Sequence, residues 1–106
     1  MRVRVTYNAL GNLEEIYTYI ALVNYQPQNA EYVVNKIARM FSGAIASHPK
    51  AFRECEELTT KTKMYRKAIC LDFWVVYRIT AFEIIILGVT HSSRHPKEIY
   101  KLRRVK

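Results

Sequence analysis

Apolar and polar residues alternate at the start of the chain. Val3, Val5 and Tyr7 fall on one side of Arg2–Tyr7, which predicts a half-buried strand. Asn8 and Asn12 are both possible helix caps, and Asn12 with Glu15 makes an N-x-x-E capping box. Leu13, Ile16, Tyr17 and Ile20 then share one helical face. Pro27 disfavours helical geometry in Gln26, so this helix should stop near Asn24 and a second should start near 27–29. In that second helix Ala30, Val33, Val34, Ile37, Met40, Phe41, Ala44 and Ile45 recur at three- and four-residue spacing until His48-Pro49. The short link makes the two helices an antiparallel hairpin.

Residues 51–62 are polar, acidic and without a period, and they read as a loop. Three strand-like runs follow, 64–71, 73–80 and 82–90, rich in Val, Ile, Tyr, Phe and Trp. Short links make them an antiparallel meander. The order β-α-α-β-β-β predicts an α+β fold, with an antiparallel sheet and the helical hairpin packed on one face. In 96–106, Ile99, Leu102 and Val105 stand at near-helical spacing among basic residues, as in a short helix or an ordered tail.

The length of 106 residues suits one domain over 1–106. No apolar run approaches the ~18 residues that span a bilayer, and the N-terminus is not a signal peptide. A cytoplasmic protein away from membranes is expected. Cys55 and Cys70 form no CxxC or Cys/His cluster and read as two reduced thiols, with no metal site and no cofactor. The net charge of +8 is unevenly spread. Residues 1–60 carry six basic and six acidic residues, whereas 61–106 carry eleven basic residues against Asp72, Glu83 and Glu98. Such a concentrated positive half suits a polyanion or an acidic protein partner, and a solvated basic face fits it as well.

Four stretches resemble the RelE/ParE toxin superfamily, in order and at matching spacing. Leu13-Glu14-Glu15-Ile16-Tyr17-Thr18-Tyr19-Ile20-Ala21 is similar to its first helix, and Tyr65-Arg66-Lys67-Ala68-Ile69 to its second strand. Phe73-Trp74-Val75-Val76-Tyr77-Arg78-Ile79 resembles the aromatic-x-aliphatic-x-Tyr-Arg pattern of the third strand. Residues 84–96 resemble the fourth strand and the His-x-x-Arg turn after it, here His91 to Arg94. The resemblance implies the growth-inhibiting toxin of a bacterial toxin–antitoxin pair, neutralised by a cognate antitoxin protein. RelE-like members resemble metal-independent endonucleases that cut mRNA on the ribosome. ParE-like members resemble non-enzymatic inhibitors of DNA gyrase. The first expectation is the nuclease, acting on ribosome and mRNA, with the gyrase inhibitor as the alternative.

RNA cleavage needs the 2′-hydroxyl activated, the phosphorane charge stabilised and the leaving oxygen protonated. Arg66 and Lys67 are strand neighbours and point to opposite faces. Arg66, which the family motif matches, is the candidate phosphate clamp, since a planar fork suits that task. Arg94 is either a stabiliser of transition-state charge or a surface arginine. His91 is either a general acid or base, or a strand-end histidine bonded to backbone. Tyr100 either stacks on a base or supplies a phenol proton, or else packs the tail onto the sheet. The resemblance places Trp74 where RelE-like nucleases carry an arginine; an indole stacks on a base but cannot stabilise a phosphorane by charge. Lys63, Lys67, Lys97, Lys101, Arg103 and Arg104 complete the candidate RNA- and phosphate-binding set, which implies affinity that falls steeply with salt.

Overall fold

The computed structural model describes residues 1–58 and 60–106. Strand β1 (Arg2–Val5) leads into α1 (Tyr7–Thr18), whose last turn widens into a π-helical turn over Tyr19–Val23. Helix α2 (Pro27–Met40) starts on Pro27 and ends in a second π-helical turn, Phe41–Ile45. Proline suits a first helical position, where its missing N–H has no intrahelical partner to lose. Then come β2 (Arg53–Glu54), a 3-10 turn (Glu56–Leu58), β3 (Tyr65–Cys70), β4 (Phe73–Ile79) and β5 (Glu83–His91). The chain closes with α3 (Lys97–Tyr100), continued as a 3-10 turn over Lys101–Arg104.

The expected α+β fold is present, with three differences. The sheet order is β1-β5-β4-β3-β2, and β1 runs parallel to β5, so the sheet is antiparallel everywhere except at that edge. The expected loop at 51–62 holds the two-residue edge strand β2 and the 3-10 turn, while Thr59 within it lies outside the described residues. The cap of α1 is neither Asn8 nor Asn12. Thr6 Oγ1 accepts from the Ala9 N–H at 3.1 Å, so Tyr7 opens the helix and is exposed instead of lying on the strand face.

Asn8 and Asn12 serve the sheet. Beyond the short β1, the outer edge of β5 needs other partners, because buried backbone groups must be paired. Thr6 Oγ1 donates to Ile86 O at 2.7 Å, Asn8 Nδ2 donates to Leu87 O at 2.9 Å, and the Val89 N–H donates to Asn12 Oδ1 at 2.9 Å. One turn of helix thus continues the ladder that β1 begins.

Both faces of the sheet are covered. On one, Ala9 and Leu13 of α1, with Val33, Ile37, Phe41 and Ile45 of α2 and its extension, pack on Ala68, Val75, Tyr77, Ile84, Ile86 and Val89. On the other, Ile99 and Leu102 pack with Cys55 and Leu58 on Tyr65, Val76, Ile85 and Leu87. Val75, Val76 and Tyr77 are accordingly all fully buried, although they are consecutive and point to alternate faces. Arg4 fastens the far end of the tail, with Nε on Glu83 at 2.8 Å and Nη1 on the Lys106 carbonyl at 3.0 Å.

A bulge interrupts β5. Val76 pairs with Gly88 but Tyr77 pairs with Ile86, which leaves Leu87 as the extra residue. The parity of β5 changes there, so His91, paired with Phe73, shares the helix-covered face with Ile84, Ile86 and Val89. At Gly88 an added Cβ would lie 2.7 Å from Leu102 Cδ2 and 3.0 Å from Asn12 Oδ1. Gly88→Ala should therefore destabilise by about 1–3 kcal/mol in denaturant titrations. Adding Leu102→Val should recover part of that loss; a Gly88→Ala protein as stable as wild type would show that the tail is not held against this strand.

Candidate functional site

A cleft of about 620 Å³ opens between α1, the end of β5 and the C-terminal segment. Its apolar walls include Ile16, Ile20, Phe73, Val89 and Leu102; its polar lining includes Glu15, His91, Arg94, Glu98 and Lys101. The bulge in β5 brings His91 here. Its ring meets Phe73 edge-on at 5.1 Å. The Ser93 backbone N–H donates to His91 Nδ1 at 3.0 Å, and Ser93 Oγ lies 2.7 Å from the same atom. A backbone N–H can only donate, so the neutral ring carries its proton on Nε2. His91 therefore offers a hydrogen-bond donor at Nε2. Arg94, in the turn that follows, is exposed and has no ion-pair partner among the described residues.

Arg66 lies elsewhere. Its cross-strand partner is Tyr77, whereas His91 pairs with Phe73 and Phe73 with Cys70. Four residues of strand and two strand spacings thus separate Arg66 from His91, about 16 Å between their Cα atoms. The guanidinium is engaged: Nη1 donates to the Phe52 carbonyl at 3.0 Å and lies 3.4 Å from the Lys50 carbonyl. The Tyr77 hydroxyl donates to the Pro49 carbonyl. Together Arg66 and Tyr77 pin the 49–52 segment, where the chain leaves the helical hairpin for the sheet. Burial pushes the Tyr77 phenol up to about 12, against the opposing pull of the Arg66 charge.

Lys67, proposed from sequence as a phosphate contact, is occupied by an internal partner. Its ammonium is buried and sits 3.0 Å from both carboxylate oxygens of Glu57. It also lies 4.6 Å from the Trp74 ring centre, with the Arg53 guanidinium 5.7 Å from the same ring. Trp74 thus roofs an ion pair. Burial alone would raise the Glu57 carboxyl, but its own backbone N–H and Lys67 outweigh that and hold it below the usual range. The neighbouring Cys55 thiol is pushed up to about 11, by burial first and by the Glu57 charge second. Sequence reading missed this cluster because Glu57 sits in a segment without period; the signal was a lysine on the sheet face that also carries Trp74 and Val76.

The remaining candidates lie on the surface. Lys63 occupies a left-handed position in the turn before β3, with φ 53°. Tyr100 is half-exposed on the tail, and Lys97, Arg103 and Arg104 face outward beside it. Lys101 reaches Glu98 at 3.4 Å. Of the four catalytic candidates, only His91 and Arg94 line the cleft, and Lys101 joins them from the phosphate-binding set. No three His, Cys, Asp or Glu side chains among the described residues gather to hold a metal ion, and no described helix is long and apolar enough to cross a membrane.

A family described as "ParE toxin of type II toxin-antitoxin system, parDE" matches residues 3–96. Among solved structures, a chain of a chromosomal ParDE toxin–antitoxin system from P. aeruginosa is similar, with a TM-score of 0.63 and 23% identity, over 86% of this chain and 95% of that one. A chain of the RelBE2 toxin–antitoxin complex from Mycobacterium tuberculosis gives a TM-score of 0.58 and 18% identity, over 85% and 95%. At these identities the two structures speak for the fold. No curated protein sequence gives a significant match.

Two outcomes test the internal roles. Lys67→Ala leaves the Glu57 carboxylate in place without its partner and should cost about 3 kcal/mol. In a double-mutant cycle with Glu57→Ala, the double variant should lose less than the sum of the singles; additivity would show that the pair is not coupled. For Tyr77, the folded state favours the protonated phenol. Its contribution is full below pH ~10, the unfolded value, and is lost as pH rises toward 12. Wild type should lose more stability than Tyr77→Phe between those limits in pH-dependent unfolding; parallel curves would place the phenol in solvent.

Proposed function

The chain belongs to the ParE toxin family of type II toxin–antitoxin systems, and from that premise we propose that it arrests growth by binding its target, DNA gyrase, and not by cutting RNA. The observation that carries this reading is the scatter of the side chains a nuclease would need. The Cα of Arg66 lies about 16 Å from that of His91 and its guanidinium is spent on backbone carbonyls, Lys67 is spent on Glu57, and Trp74 covers that pair. A phosphorane needs its donors converging within about 3 Å of one position.

The cognate antitoxin is the expected partner. The outer face of the helical hairpin supports this, because Tyr7, Leu10 and Tyr17 stand exposed around a groove shared with Leu13 and Val34. Solvated apolar surface of this kind suits the apolar face of an amphipathic segment. One observation favours the nuclease reading instead: His91, Arg94 and Lys101 do share a cleft, and a substrate that draws them together would supply a partial cationic site.

Inducible expression in a bacterial host separates the two. The expected result is growth arrest with intact mRNA, filamentation and a DNA-damage response, together with inhibition of supercoiling by purified gyrase. Cleavage of mRNA in translated regions, abolished by Arg94→Ala, would replace the gyrase reading with the nuclease.

A further inference from the structure

The C-terminal segment is amphipathic, and packing uses only half of it. Ile99 and Leu102 are buried against the sheet and Val105 is half-buried. Lys97, Tyr100, Lys101, Arg103, Arg104 and Lys106 all face outward, with exposed Arg94 in the turn just before. The one acid among them, Glu98, reaches Lys101 at 3.4 Å; none of the other cations has an ion pair among the described residues. The segment is also anchored at its far end, where Arg4 holds the Lys106 carbonyl. These cations therefore stand on a fixed platform, whose helical part from Lys97 to Arg104 is about 14 Å long. Duplex DNA presents on the order of eight phosphate charges along that length of its axis.

We propose that the outward face of residues 94–106 binds the phosphate backbone of duplex DNA, so that the toxin meets gyrase where gyrase holds its DNA. The gyrase half of that statement rests on the function proposed above; the DNA contact stands on the face itself. Protein interfaces have an apolar, aromatic centre within a polar rim. This face has a single aromatic, Tyr100, and no exposed Leu, Ile, Val or Met, while most of the large exposed apolar residues among those described, Tyr7, Leu22, Val23 and Tyr25 among them, lie on the helical hairpin. Single-stranded nucleic acid is held by successive stacking platforms, and one tyrosine does not make a series. A row of fixed cations without apolar content suits a regular polyanion.

The test uses the whole chain, without gyrase, and a fluorescent duplex of about 20 base pairs read by anisotropy. Binding should weaken with salt at a log–log slope of about −4, as for four to five neutralised phosphates. Arg103→Glu with Arg104→Glu should lose at least tenfold in affinity. Arg39→Glu with Lys50→Glu makes the same change in net charge on the other side of the molecule and should lose no more than about threefold, since screening leaves distant charges little effect. Equal losses in both pairs, or no binding at low salt, overturn the proposal. So does a single-stranded RNA of equal length that outcompetes the duplex. A supercoiling assay on the same proteins keeps the two readings apart. Wild type that binds duplex but spares gyrase removes the gyrase reading alone; wild type that inhibits gyrase without binding duplex removes the DNA contact alone.

Discussion

The open edge of β5 is the constraint around which the rest of the molecule is arranged. Strand β1 is four residues long and pairs only with the first part of a nine-residue strand. Unpaired backbone groups at a covered sheet edge are costly. Thr6, Asn8 and Asn12 supply the missing donors and acceptor, which fixes where α1 starts and how it lies on the sheet. Once α1 is set by those bonds, α2 packs beside it, and the cleft between α1 and the end of β5 has its walls. The bulge at Leu87 belongs to the same arrangement. It turns Val89 toward the helices, while the missing side chain at Gly88 lets Leu102 close on the opposite face.

Much of this architecture can be read from periodicity, because burial imposes it. The three- and four-residue repeat from Ala30 to Ile45 is a helix packed along its length, with Ala30, Ile37 and Ile45 fully buried. The three strands of the second half announce themselves by composition, since a sheet covered on both faces has no polar side to alternate with. Parity could not be read. Nothing in Ile84-Ile85-Ile86-Leu87-Gly88-Val89 says that one residue is extra, and a bulge depends on what packs above and below. The parallel pairing of β1 was equally hidden, being a relation between residues about 80 positions apart. Asn8 and Asn12 look like caps because asparagine caps helices; their actual partners lie at Leu87 and Val89.

The cations of the chain prove to be two populations. One is structural: Arg66 on the carbonyls of Lys50 and Phe52, Lys67 on Glu57, Arg4 on Glu83 and the tail. The other is solvated and concentrated in the last segment. A count of lysines and arginines merges them, because charge in a sequence carries no record of burial. Lys67 shows the difference most clearly: a lysine adjacent to the motif arginine is the natural choice for a phosphate contact until its carboxylate partner is seen. Separating the populations leaves two exposed surfaces of different chemistry, an apolar one on the hairpin and a cationic one on the tail.

The pairing of β1 with β5 also sets an order of events in time. A strand at positions 2–5 finds its partner only after residues 83–91 exist, and both must meet with the right register before Thr6, Asn8 and Asn12 can engage. Long-range pairing of this kind is slow, since the loop-closure entropy is lost before the contacts form. Until then the helical hairpin, which is local and quick to assemble, lacks its sheet. During synthesis the hairpin residues, 7–45, precede the three long strands, 65–91, so the helix faces that pack on the sheet in the finished fold have no cover until those strands follow.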